Sequence, residues 1–261
     1  VLRGDSTNFA TARFKILGPL GAGGFGAVSE AIDLRTGQHV AVKELDDTSA
    51  ENIARFKHEF RALADCHHEN LVGLKELIEQ DGRWLIVMEL VPGIDFLRYV
   101  QRPANDNEPG PRYDEARLRS ALVGIVTGLR ALHQFGVVHR DLKPSNVRVR
   151  PDGRAVLLDF GLATSIDPTK QSTHAFGVGT VTYMAPEQAG RASIGPAVDL
   201  YALGVCLFEA LTGRAPFEAD NAIAIALEKQ RSEAPRVSSL QPEVPKDLDA
   251  LCARLLATEP A

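Results

Sequence analysis

His139-Arg140-Asp141-Leu142-Lys143-Pro144-Ser145-Asn146 is the stretch whose reading decides the fold, together with Asp159-Phe160-Gly161, eighteen residues beyond Asp141. The first stretch sets a carboxylate, an ammonium and a carboxamide within six residues. The second adds another carboxylate beside an aromatic residue and a glycine. Taken singly, these are a turn aspartate, a surface lysine and a capping asparagine. Taken together at this spacing they form one charged constellation, which those ordinary readings leave unexplained.

Upstream lies Gly21-Ala22-Gly23-Gly24-Phe25-Gly26-Ala27-Val28. Glycines let main-chain amides approach phosphate oxygens with no Cβ in the way. A GxGxxG run also marks dinucleotide-binding folds, where it sits between a strand and a helix. Here two further strands follow, at 27–34 and 39–45, joined by a turn through Thr36-Gly37. That order disfavours the dinucleotide fold, although Glu44 stands near the distance of a ribose-binding acid. Lys43 ends Val40-Ala41-Val42-Lys43, and period two sets Ala41 and Lys43 on one face. Residues 48–65 read as a helix, because Ile53, Phe56, Phe60 and Leu63 recur at three- and four-residue spacing. Glu59 stands at the edge of that apolar face, where a carboxylate needs a cationic partner. A Lys43–Glu59 pair would hold the ammonium ready for phosphates.

The 261 residues are 44% hydrophobic and 24% charged, with a net charge of -5 and a pI near 5.8. This is ordinary soluble composition. No basic stripe argues for nucleic acid and no polybasic run for anionic lipid. No stretch reaches the roughly 18–20 apolar residues of a membrane span, and the first residues are not a signal peptide. The absence of an initiator Met leads us to expect a piece of a longer chain. Cys66, Cys206 and Cys252 are odd in number and far apart, which fits a reducing cytoplasm better than a disulfide framework. Cys66-His67-His68 makes a poor zinc site, because adjacent residues rarely chelate one ion together and no CxxC partner exists. Strands at 14–20, 27–34, 39–45, 71–77 and 84–90 with one helix give a β-rich front. A polar loop at 101–114 follows, then helices at 115–135, 199–211 and 246–256. The expected class is α+β, in two lobes with a site between them, joined near Met88-Glu89-Leu90-Val91-Pro92-Gly93.

With Ala185-Pro186-Glu187 added, the motif set resembles the eukaryotic-type (Hanks-type) protein kinase family. The resemblance runs from about Phe14 to the end of the chain. It implies one catalytic domain over 1–261, with a β-rich N-lobe at about 10–91 and a mainly helical C-lobe at about 92–261. It implies transfer of the γ-phosphoryl of Mg-ATP to Ser/Thr hydroxyls of proteins, with autophosphorylation of the activation segment. Asp141 would accept the proton of the substrate hydroxyl, and Lys143 would neutralise the transferring group. Lys43, held by Glu59, would meet the α- and β-phosphates, and Asn146 and Asp159 would ligate Mg²⁺, a hard ion that takes oxygen donors. Gly21, Gly23 and Gly26 would cover the phosphates. Leu20, Val28 and Ala41 would enclose adenine, with Met88 as gatekeeper, main-chain groups of Glu89 and Val91 at the hinge, and Asp95 on the ribose. His139, Phe160, Leu63 and Leu74 would stack as a spine, and Asp199 would tie a buried helix to the catalytic loop. Lys143 and Gly179-Thr180 resemble the Ser/Thr branch. Tyr183-Met184-Ala185-Pro186-Glu187-Gln188 resembles bacterial members, which implies further sensor or interaction domains. Arg140 wants an anion, for which phosphorylated Ser172 or Thr173 are the candidates, while Thr180 would brace Lys143 and Asp141.

Two features depart from the family pattern. Arg148 in Val147-Arg148-Val149 stands where an apolar adenine floor is usual, and strand alternation turns it toward the nucleotide. It would stack on adenine or snorkel to water. The alternative reading, a pseudokinase acting as a nucleotide-binding scaffold, rests on this residue, and intact Lys43, Asp141, Asn146 and Asp159 weigh against it. A purely structural interaction domain leaves those charges without purpose. Secondly, the Arg that pairs with the Glu of Ala-Pro-Glu is expected just past Ala261. Glu187 would then lack its partner and the last helices of the lobe would be missing.

Overall fold

Five antiparallel strands make the amino-terminal lobe: β1 (Phe14–Gly23), β2 (Gly26–Asp33), β3 (Gln38–Glu44), β4 (Leu74–Gln80) and β5 (Arg83–Glu89), in the order β1-β2-β3-β5-β4. The structure, a computed structural model, describes residues 13–23, 26–45, 50–102, 113–160, 178–189 and 194–257. One sheet face buries Phe14, Ala31, Val40, Val42, Leu85 and Val87. The other joins the main core, where Ala41, Ile86 and Met88 meet Ile53, Phe56, Phe60 and Leu63 of α1 (Ala50–Ala64). β3 is therefore covered on both sides, and Val40, Ala41, Val42 and Lys43 are all buried. A central strand loses its simple in–out alternation for this reason.

The carboxy-terminal lobe carries α2 (Phe96–Val100), α3 (Glu115–Gln134), α4 (Val178–Val181), α5 (Ala197–Thr212), α6 (Ala222–Arg231) and α7 (Lys246–Leu255). A small sheet, β6 (Ile94–Asp95), β7 (Val147–Val149) and β8 (Ala155–Leu157), lies against α3. Twelve residues of α5 are buried, so it runs through the middle of the lobe as a helix apolar on nearly all sides. Asp95 and Asp114 cap α2 and α3 by accepting the amides of Arg98 and Arg117.

The strand expected at 71–77 begins instead at Leu74. Leu71 bridges to Leu157, and the Val72 amide donates to the Leu157 carbonyl at 2.9 Å. Those two apolar residues fasten one lobe to the other and do not extend β4. β5 leads into the connection through Glu89 and Val91 to Gly93, whose φ is +138°. A Cβ on Gly93 would stand 2.0 Å from the carbonyl oxygen of Val149, so only glycine fits there. Of the polar loop expected at 101–114, residues 103–112 lie outside the described residues, and Gln101 bridges to Tyr113 where the described chain resumes.

Candidate active site

A cavity of about 310 Å³ opens between the lobes. Leu20, Gly21, Gly26, Val28, Ala41 and Lys43 line it from the N-lobe sheet, and Met88, Glu89, Leu90 and Val91 from the connection. Asp141, Lys143, Ser145, Asn146, Arg148, Leu158 and Asp159 line it from the C-lobe, and Val72 from the segment before β4. Gly23 lies outside this lining and pairs with Gly26 at the end of the β1–β2 ladder. Gly26 has a reason of its own to be glycine. At φ +125°, a Cβ would fall 1.8 Å from the Glu44 carbonyl oxygen. The tip of the glycine-rich segment, Gly24 and Phe25, is outside the described residues.

The 139–146 stretch is held from below by α5. The buried carboxylate of Asp199 accepts the amides of His139 and Arg140, each at 2.8 Å, and a bond of 2.8 Å from Nε2 of His133. Those bonds secure Arg140 at φ +65°, a left-handed conformation that side-chain-bearing residues rarely adopt. Asp159 is the other left-handed residue of the site, at φ +54°. His139 is fully buried and meets Phe160 edge-on, with ring centroids 6.3 Å apart. Leu63, Leu74 and Phe160 are buried in the same core cluster, as the expected spine requires.

The charged residues are locked to one another. Lys143 Nζ donates to both carboxylate oxygens of Asp141, at 2.9 and 3.2 Å. Asn146 donates its amide to the main-chain and carboxylate oxygens of Asp141, at 2.8 and 2.9 Å. Lys43 is 5% exposed, and its ammonium lies 2.9 Å from Asp159 Oδ1. This is its ion pair among the described residues; the side chain of its expected partner Glu59 lies outside them.

Two oxygens fit a divalent cation. Both donors of the Asn146 amide nitrogen are used, so its carbonyl oxygen remains as a ligand. Asp159 Oδ1 holds Lys43, and its Oδ2 has no bond among the described residues. Two protein oxygens completed by phosphates and water is the mode Mg²⁺ favours.

Some expected residues stand elsewhere. Asp95 is not in the lining, and its Oδ1 is engaged as the α2 cap. Arg148 does line the cavity, at the centre of β7 between buried Val147 and Val149. Its side chain makes no hydrogen bond or ion pair among the described residues. Glu187 makes no ion pair with Arg214 or Arg254 among them. Ser172 and Thr173 lie outside the described residues, as does the side chain of Thr180. Arg140 keeps a buried Nε with no partner among the described residues. Sequence reasoning missed Val72, Leu90, Ser145 and Leu158 as lining. Ser145 had a signal, standing between Lys143 and Asn146. Val72 read as an ordinary strand residue.

Two lobes, a glycine-edged strand pair above a cavity and a lysine–aspartate–asparagine cluster below it define a nucleotide-dependent phosphotransferase architecture. The chain belongs to the protein kinase domain family, whose model matches residues 14–261, and it is a Hanks-type domain of the kind found in bacterial serine/threonine kinases. It is 34% identical over 251 residues to the probable serine/threonine-protein kinase PknB of Lactococcus lactis, covering 95% of this chain and 39% of that protein. To the serine/threonine-protein kinase PrkC of Bacillus subtilis it is 35% identical over 254 residues, covering 96% and 38%. To PknL of Mycobacterium tuberculosis it is 33% identical over 254 residues, covering 96% and 62%. The chain thus spans about two fifths to three fifths of the length of these relatives. Two crystal structures of variants of the Mycobacterium tuberculosis PknI kinase domain share the fold, with TM-scores of 0.69 and 0.71 at 24% identity, covering 98% of this chain and 92% of theirs.

Proposed function

We propose that this chain transfers the γ-phosphoryl of ATP to serine or threonine hydroxyls of proteins. The observation that carries the reading is the Asp141–Lys143–Asn146 cluster facing Lys43–Asp159 across one cavity. Asp141 orients the acceptor hydroxyl and takes its proton. Lys143, already on Asp141, offsets negative charge on the group in transit, and Lys43 meets the inner phosphates from the roof. Asn146 and Asp159 would hold Mg²⁺, whose charge would offset that of the phosphates. Leu20, Val28, Ala41 and Leu158 sandwich the base, and main-chain groups of Glu89 and Val91 meet its edge, with Met88 behind. Gly21 and Gly26 hold the phosphates from above.

Regulation follows from Arg140, whose unpartnered Nε suits a phosphate on Ser172 or Thr173. The three cysteines are buried and free, which supports a reducing, cytoplasmic setting. No helix among the described residues is long and apolar enough to cross a membrane. The test is incubation with Mg-ATP followed by phosphoamino-acid analysis. Phosphoserine and phosphothreonine are expected; phosphotyrosine alone, or no incorporation, contradicts the reading.

A further inference from the structure

Lys229, near the end of α6, is 2% exposed and has no carboxylate partner among the described residues. Its Nζ donates to the main-chain oxygens of Val181, Thr182 and Met184, at 2.9, 2.6 and 2.8 Å. It also lies 5.4 Å from the centroid of the Tyr201 ring. An ammonium has three N–H donors, and here each meets one carbonyl. A neutral amine has two, and would turn a lone pair toward the third oxygen. Burial pushes this ammonium down to about 7, while the geometry of three converging carbonyl oxygens suits the charged form. Burying a charge without a counter-charge is costly. Mere packing would be met as well by methionine, which has nearly the same length and no charge. What the lysine adds is constraint, because three of four consecutive residues are tied to one point.

The tied segment adjoins the catalytic stretch. It continues into Ala185, whose amide donates to Gln188 Oε1 at 2.7 Å, and Gln188 Nε2 donates to the carbonyl of Arg140, the residue before Asp141. On its other side Val181 packs with Phe217 and Ile225. None of these residues lines the nucleotide cavity. The segment therefore touches the catalytic loop without touching the nucleotide seat, which leaves the acceptor side of the reaction for it to shape.

We propose that Lys229 is a positioning residue for the protein acceptor: it fixes the main-chain path of residues 181–184 beside the catalytic loop and so sets where an acceptor docks relative to Asp141. The acceptor half rests on the kinase reading above; the clamp itself does not.

The test compares wild type with Lys229→Met, using casein as the acceptor. Nucleotide titration and thermal melting check the fold first. If Lys229→Met melts below the assay temperature, Lys229→Gln serves the same comparisons. The expected result is an acceptor KM raised roughly 10- to 100-fold, as displacement of a positioning element gives. The KM for ATP and the ATP Kd should stay within about twofold, since the substitution removes no interaction with the nucleotide. Amide hydrogen exchange should accelerate across 181–189 and remain unchanged around Asp141 and Lys43. An unchanged acceptor KM, or parallel losses for ATP and acceptor, overturns the positioning role. If wild type transfers no phosphate to casein, the kinase reading and the acceptor half fail together. Exchange then decides the clamp alone: faster exchange across 181–189 upholds it and unchanged exchange overturns it.

Discussion

Asp199 Oδ1 accepts the amide of Arg140 at 2.8 Å, and Arg140 stands at φ +65°. A buried carboxylate on one helix thus fixes an unfavourable main-chain conformation at the residue before Asp141. Asp199→Ala leaves the amides of His139 and Arg140, and Nε2 of His133, without their acceptor. The expected cost is about 3 kcal/mol or more, the range for orphaning buried groups that faced a charge. Phosphate transfer should fall at least about 100-fold, because the loop that aims Asp141 loses its brace. ATP affinity should change far less, because Asp199 does not line the cavity. Urea unfolding and single-turnover transfer check both. Normal transfer in a stable Asp199→Ala protein would contradict this account of the loop.

Arg148 lines the cavity, and its guanidinium has no partner among the described residues. A guanidinium stacked on a purine contributes about 0.5–2 kcal/mol. Wild type is expected to bind ATP, and Arg148→Leu should weaken binding by no more than about 10- to 30-fold on that scale. Calorimetric titration reads it. Failure of wild type to bind ATP, with binding restored in Arg148→Leu, would favour the pseudokinase alternative.

Arg13 grips Asp33 with two bonds, at 2.7 and 3.1 Å, and reaches Glu76 with a third nitrogen. The guanidinium holds the buried Asp33 carboxyl below the usual carboxylate range. A depressed folded value means stability fully present above the unfolded value, near 4, and lost as pH falls through the folded one. Arg13→Met should therefore cost about 2–4 kcal/mol near neutral pH, for a partly exposed pair. The deficit should shrink with falling pH, first as the buried, unpaired Asp33 of the variant takes up a proton and then, below about 4, as the wild-type pair loses its contribution. Urea unfolding at several pH values measures this, and a pH-independent deficit would contradict it.

The motifs were legible because their chemistry is local. Within a few residues, Asp141, Lys143 and Asn146 make the hydrogen bonds their spacing suggests. Helices with a strong apolar stripe were legible too, α1 and α3 to within two residues at each end. Long-range partnerships were legible only where the family resemblance supplied them, as for Asp199 and the 139–140 amides. The ion pair of Lys43 with Asp159 joins residues 116 positions apart, and no pattern announces it. α6 escaped notice because Ala222-Ile223-Ala224-Ile225 alternates like a strand; it is a helix, with Asn221 as its cap. Nothing in the sequence around Lys229, which stands between Glu228 and Gln230, marks it for burial; the fold that carries 181–184 over it does that.

The central claim is that Asp141 is the group on which phosphoryl transfer to protein hydroxyls turns. The direct measurement is labelled-phosphate incorporation from Mg-ATP into acceptor protein, by wild type and by Asp141→Asn purified identically. The account predicts transfer by wild type, a loss of roughly 10²–10⁴-fold in Asp141→Asn, and ATP binding retained in both. Equal incorporation by the two proteins, or none by a wild type that binds ATP, would contradict it.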